Sequence, residues 1–95
     1  MAQDSAGNPL MKLQVVAKSG ILFEGEVTDA VVPAADGELG ILPGHTPLLA
    51  ILQPGSVRFT LSSGQEQEIL TSRGFVTVDS DEIMVVVESQ RSSDR

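Results

Sequence analysis

The chain has 95 residues, with 13 acidic and six basic side chains, so its net charge at pH 7 is −7. This length fits one domain with one compact core, and an apolar content of 41% is enough to build it. Three phenylalanines without tyrosine or tryptophan, on an acidic chain, disfavour nucleic acid and a directly contacted anionic membrane. The acidity suits a partner with basic loops, although solubility alone also explains it.

The start of the chain carries no targeting signal. MAQDSAGNPL lacks a basic region and an apolar stretch, which favours the cytoplasm, and we predict a flexible leader over residues 1–10. No apolar run approaches the roughly 20 residues that span a bilayer. The absence of cysteine excludes disulfides and thiolate metal sites.

Period-two alternation begins at Met11 and predicts the first strand, which ends at Ser19-Gly20. Its inward-facing residues are Met11, Leu13, Val15 and Ala17. The next extended stretch covers Ile21 to Val32. Within it, Gly25 predicts a bulge or bend.

The segment from Asp36 to Leu52, DGELGILPGHTPLLAIL, differs from the rest of the chain. It contains three of the nine glycines, two of the five prolines and the only histidine, His45. Such a segment is predicted to follow an irregular path that serves a contact. At its end, the apolar run from Leu48 to Leu52 lies between prolines and predicts a buried strand.

The second half of the chain predicts further short strands. Val57 to Leu61 alternates, Ser63-Gly64 forms a hairpin turn, and Gln65 to Ser72 returns. Phe75 to Val78 and Ile83 to Val87 follow, joined by a turn at Asp79-Ser80-Asp81. The nearly continuous apolar character of Ile83 to Val87 predicts burial on both faces.

No stretch of ten residues shows helical periodicity, so the fold class is all-β, a two-sheet sandwich or a barrel. We predict an ordered domain at residues 11–88 and a disordered tail at residues 89–95. A general base at His45, held by Asp36 or Glu38, is conceivable, but no nucleophile accompanies it. Metal-ligand spacings and nucleotide-binding glycine fingerprints are also missing, so no cofactor is expected.

GELGILPGHTPLL, from Gly37 to Leu49, resembles the hallmark of the ε subunit of F-type ATP synthases, called δ in mitochondria. FEGEV at Phe23 to Val27, PGSVR at Pro54 to Arg58 and GFVTV at Gly74 to Val78 resemble further phrases of that family. The resemblance extends over residues 11 to 88. It implies a β-sandwich of about ten short strands.

The resemblance also implies a function. It predicts a non-catalytic rotor subunit, peripheral to the cytoplasmic face of a bacterial plasma membrane, that couples rotation of the c-ring to the γ subunit. The implied c-ring contacts are Gly37, Glu38 and Leu39, with Glu38 facing basic loops. The implied γ contacts are Ala17, Leu42, His45, Leu48 and Ala50.

Most members of this family continue into two antiparallel helices, whereas this chain ends at Arg95. We therefore expect neither ATP binding nor inhibition by a helical hairpin. The alternative function is a β-sandwich interaction or carrier module unrelated to ATP synthase. It is disfavoured because the lysine in Met11-Lys12-Leu13 starts a strand, whereas a carrier domain presents its lysine at a hairpin tip.

Overall fold

The computed structural model describes Gly7 and residues 9–90. In this part of the chain the backbone forms eight strands and no helix. The strands are β1 (Met11–Ala17), β2 (Gly20–Ala34), β3 (Gly37–Ile41), β4 (Leu48–Leu52), β5 (Gly55–Leu61), β6 (Glu66–Thr71), β7 (Gly74–Asp79) and β8 (Glu82–Val87). The all-β prediction is confirmed, with eight strands in the described residues where about ten are expected from the resemblance.

The long strand β2 belongs to both layers of the fold. Its first half pairs with β1, and its second half pairs with β3 on one side and β5 on the other. Sheet I thus consists of β4, β7, β8, β1 and the first half of β2. Sheet II consists of β3, the second half of β2, β5 and β6. The register against β5 shifts between Val27 and Asp29, and this irregularity marks the passage of β2 from one sheet to the other.

The two sheets enclose one apolar core, to which mainly alternate residues of the strands contribute. Sheet I supplies the buried side chains Leu13, Val15, Val76 and Val85, and sheet II supplies Val32, Ile41, Val57 and Phe59. The rings of Phe23 and Phe59 pack with their centroids 4.4 Å apart. The core therefore holds the sheets together and leaves each with one outward face.

Gly25 does not form the bulge that the sequence predicts. It pairs in regular register with Leu13, and the irregularities of β2 lie on either side of it. A Cβ at position 25 would lie 3.0 Å from Cζ of Phe23. An alanine here would require the Phe23 ring, which packs over the backbone, to shift by a few tenths of an ångström.

The segment from Asp36 to Leu52 is more regular than predicted. Its first part is β3, which returns antiparallel along β2. The irregular path is limited to the connection before β4, where the Leu42 carbonyl accepts the His45 N–H at 3.1 Å. Pro43 in the second position and Gly44 with a φ of 85° in the third make this a type II turn. The strand predicted from Leu48 to Leu52 is confirmed as β4.

Ordered contacts extend slightly beyond the predicted domain of residues 11–88. Leu10 is only 3% exposed. At the other end, the Ser89 carbonyl accepts the Ser72 N–H, and Gln90 pairs with Thr71. The rest of the predicted leader and tail, residues 1–6, 8 and 91–95, lies outside the described residues.

Candidate docking surface

Part of the outward face of sheet I is apolar and exposed. Leu49 and Ile51 of β4 are 67% and 61% exposed, and Met84 of β8 is 43% exposed. Leu48 to Leu52 and Ile83 to Val87 do form strands, as predicted. The prediction that both faces of these strands are buried is wrong, because one face of each is exposed. The inward residues do pack in the core, but no part of the described chain covers the outward ones.

Strand register aligns these outward side chains into a row across all five strands of sheet I. Ile51 lies opposite Phe75, Phe75 opposite Val86, Val86 beside Val16, and Val16 opposite Ile21. Leu49 and Met84 flank this row on either side of Thr77. We call these seven residues, Val16, Ile21, Leu49, Ile51, Phe75, Met84 and Val86, the apolar face.

Charged side chains border one end of the apolar face. A shallow depression there is lined by Ile51, Phe75 and Val86 together with Lys18, Arg73 and Glu88. Nε of Arg73 lies 3.6 Å from the Glu88 carboxylate. An apolar centre with a charged rim is the usual arrangement of a protein–protein interface.

The outward face of sheet II has the opposite chemistry. Asp29, Glu38, Glu66 and Glu68 lie on it with one cation, Arg58, and we call these five residues the acidic face. Arg58 donates to Oε2 of Glu38 at 2.8 Å, and Thr60 donates to Oδ1 of Asp29 at 2.9 Å. The Arg58–Glu38 pair is exposed, with 46% and 64% of the two side chains accessible, so it contributes little to stability.

The residues implied to contact the c-ring lie at the start of β3. Gly37 follows the two-residue turn at Ala35-Asp36, Glu38 points outward, and Leu39 is partly buried against the core. Glu38 is exposed and forms an ion pair with Arg58. Sequence reasoning missed Arg58, because residues 20 positions apart meet only through the register of β3 and β5 against β2.

The residues implied to contact γ do not form one surface. Ala17 is in the core and is 6% exposed, while Leu48 and Ala50 face inward from β4 and are partly buried. Leu42 is 61% exposed and shares its turn with His45, whose Nδ1 lies 2.7 Å from the Thr46 carbonyl oxygen. Their role at γ stays a prediction. Sequence reasoning missed Leu49, Ile51, Phe75 and Met84 as outward-facing residues. For Leu49, Ile51 and Met84, the unbroken apolar runs of β4 and β8 carried the signal.

Two further features, a metal site and a membrane-spanning helix, are absent from the described residues. No group of three among their His, Asp and Glu side chains is placed to hold a metal ion. They also include no helix able to cross a bilayer.

The fold and its two outward faces define a β-sandwich domain. Residues 10–92 match the family described as "ATP synthase, Delta/Epsilon chain, beta-sandwich domain", and the chain belongs to this family. The ATP synthase epsilon chain of Dichelobacter nodosus is 43% identical over 77 residues, which are 81% of this chain and 54% of that protein. ATP synthase epsilon chain 2 of Ralstonia nicotianae is 40% identical over 81 residues, or 85% and 58% of the two chains. This chain thus spans rather more than half the length of these relatives.

Solved structures show the same fold. A chain of the Euglena gracilis mitochondrial ATP synthase, in a structure of OSCP, F1 and the c-ring, superposes with a TM-score of 0.81 at 20% identity. The match covers 96% of this chain and 61% of that one. A chain of the Tetrahymena thermophila enzyme, in a structure of its central stalk and c-ring, gives 0.72 at 14% identity over 96% and 69% of the two chains.

Proposed function

We propose that this domain is a non-catalytic subunit of the central stalk of an F-type ATP synthase. It joins the γ subunit to the c-ring, so that proton-driven rotation of the ring is coupled to ATP synthesis. It is peripheral to the membrane and is held by the complex at the cytoplasmic face of a bacterial plasma membrane. Support comes from the family, from relatives named ATP synthase epsilon chain, and from the c-ring assemblies of the structural neighbours.

The observation that carries this proposal is the apolar face. Two of its strands, β4 and β8, have the composition of strands buried on both sides, yet the described chain covers only one side. Soluble monomeric proteins rarely expose contiguous apolar surface of more than a few hundred Å². A row of five apolar side chains crossing five strands therefore supports a subunit that is built to be covered by a partner.

We assign the apolar face to γ. A rotor subunit has to transmit torque, and a packed apolar contact resists displacement without depending on salt. The turn that carries Leu42 and His45 leads directly into β4, so these predicted γ contacts lie next in the chain to the outward residues Leu49 and Ile51. The charged rim of Lys18, Arg73 and Glu88 can fix the orientation of the bound partner.

We assign the start of β3 to the c-ring. Glu38 stands beside the β2–β3 turn with 64% of its side chain accessible, flanked by Gly37 and Leu39. Asp29, Glu66 and Glu68 extend the negative potential around it. Such a surface attracts basic loops over several ångströms and accelerates docking more than it adds affinity.

The decisive test is capture of both partners. The tagged 95-residue chain is immobilised and offered purified γ, purified c-ring and the γ–c-ring assembly, with an acidic lipoyl domain as the matched control. We expect the chain to retain γ alone and the whole assembly, and the control to retain neither. If the chain retains neither γ nor the c-ring, the proposal is wrong, and an unrelated interaction or carrier module takes its place.

A further inference from the structure

The type II turn from Leu42 to His45 leaves one backbone donor without a partner inside the turn. This donor is the N–H of Gly44, which belongs to the central peptide, Pro43–Gly44. Oδ1 of Asp81, from the turn between β7 and β8, accepts it at 2.8 Å. Type I and type II turns differ in the orientation of the central peptide, by a rotation of about 180°. The Asp81 bond is therefore compatible with the type II form and is lost in the type I form.

Asp81 is itself fixed by the backbone. Its carbonyl oxygen accepts the Lys12 N–H at 2.9 Å, which ties it to the start of β1. It also occupies the second position of a two-residue hairpin turn closed by the pair Asp79–Glu82. The carboxylate thus extends from a rigid corner of sheet I towards the Leu42–His45 turn.

The hairpin turn that carries Asp81 is conformationally strained. Ser80 and Asp81 have φ values of 54° and 61°, the left-handed pair of a type I′ turn. Asn-Gly or Asp-Gly fits such a turn, whereas Ser followed by Asp adopts it at a cost in backbone strain. A strained residue whose side chain makes a specific contact with another loop points to a role for that contact.

We propose that Asp81 is the positioning residue that keeps the Leu42–His45 turn in its type II form. It thereby fixes the orientation in which the turn presents Leu42 and His45 at the edge of the sandwich. The positioning role depends only on the geometry of this chain. Its consequence for γ rests on the proposed function, in which Leu42 and His45 are contacts.

The test compares Asp81→Gly, Ser80→Gly and Asp81→Asn in the 95-residue chain. Asp81→Gly removes the carboxylate but suits the left-handed backbone, so the fold should not be weakened. Ser80→Gly relieves the same turn and keeps the carboxylate, which makes it the matched control. Asp81→Asn keeps an acceptor oxygen and should restore part of the contact.

The measurement is amide exchange with water by NMR. We expect exchange at Gly44 to become at least about tenfold faster in Asp81→Gly, unchanged in Ser80→Gly and intermediate in Asp81→Asn. Exchange at Val76, in the middle of β7, should stay constant in all three variants. Unchanged exchange at Gly44 in Asp81→Gly overturns the proposal. Equal acceleration at Gly44 and Val76 also overturns it, because Asp81 would then act on the whole fold.

The second arm measures affinity for purified γ. We expect Asp81→Gly to weaken binding about threefold to tenfold, because the freed turn must be ordered again on docking, and Ser80→Gly to bind as the parent does. If exchange responds and the affinity for γ does not, the positioning role stands and the γ contact at this turn is wrong. Failure of the parent chain to bind γ would instead count against the proposed function.

Discussion

The two outward faces of this sandwich have opposite chemistry although they share strand β2. Sheet I presents an apolar row bordered by charged and polar side chains, whereas sheet II presents four carboxylates and one arginine. In sheet I, Gly74 of β7 lies directly against the backbone of β8. The contrast separates two kinds of contact: the apolar face suits a permanent partner, and the acidic face suits a polar contact that salt can weaken.

The largest expected effect is that of an added methyl group at Gly74 of sheet I. A Cβ at Gly74 would overlap the Val86 carbonyl oxygen and lie 2.7 Å from Cα of Val87. Gly74→Ala therefore forces β7 and β8 apart, and we expect the free energy of unfolding to fall by about 3 kcal/mol. The measurement is urea denaturation followed by far-UV circular dichroism.

Gly40 of β3 is the control for this experiment. A Cβ there meets nothing within 4 Å, and its φ is not in the left-handed region. Gly40→Ala should leave stability unchanged or raise it by up to about 1 kcal/mol. Equal destabilisation by the two alanines would show that the close backbone contact at Gly74 does not cause the loss.

The next largest effect concerns the apolar face and γ. Ile51 is 61% exposed in the free domain, so Ile51→Asp should change the free energy of unfolding by less than about 1 kcal/mol. At the centre of a buried interface the same carboxylate would be desolvated without a partner. We therefore expect affinity for γ, measured by calorimetry, to drop about 100-fold.

Ser62→Asp provides the matched change in charge. Ser62 is exposed in the turn between β5 and β6, away from the apolar face. Its substitution should leave binding to γ within about twofold of the parent. If Ile51→Asp binds γ as well as Ser62→Asp does, γ does not cover the apolar face.

The sequence predicted the positions of the strands better than it predicted which faces of the strands are buried. Period-two alternation identified β1 from Met11 to Ala17, and the proline boundaries identified β4, because both signals are local. Burial on the outward face of β4 and β8 was predicted wrongly, since Leu49 and Met84 have the composition of core residues whether the cover comes from this chain or from a partner.

Long-range contacts between side chains escaped prediction for a different reason. Arg58 meets Glu38, and Asp81 meets Gly44, only after the register of several strands is known. No local pattern marks either pair. Of the apolar face, only Leu49 and Ile51 lie in the segment from Asp36 to Leu52, and the other five residues join them through strand register. The Arg58–Glu38 ion pair and the hydrogen-bonded turn likewise had to come from the structure.

The smallest expected effect distinguishes the two possible roles of Glu38 on the acidic face. Glu38→Arg removes the ion pair with Arg58 and also removes the carboxylate proposed to meet the c-ring. The double substitution Glu38→Arg with Arg58→Glu restores an ion pair with its charges exchanged. We expect Glu38→Arg to lower the free energy of unfolding by less than about 1 kcal/mol, and the exchange to recover most of that loss.

Coupling in the assembled enzyme should respond differently from stability. We expect Glu38→Arg to weaken coupling of the proton gradient to ATP synthesis, measured in reconstituted vesicles, and the charge-exchanged variant to remain defective. A basic loop of the c-ring would still meet an arginine at position 38, because the exchange moves the carboxylate to position 58 on β5. Recovery of coupling by the exchange would instead assign Glu38 to the fold, since only the internal ion pair is then restored.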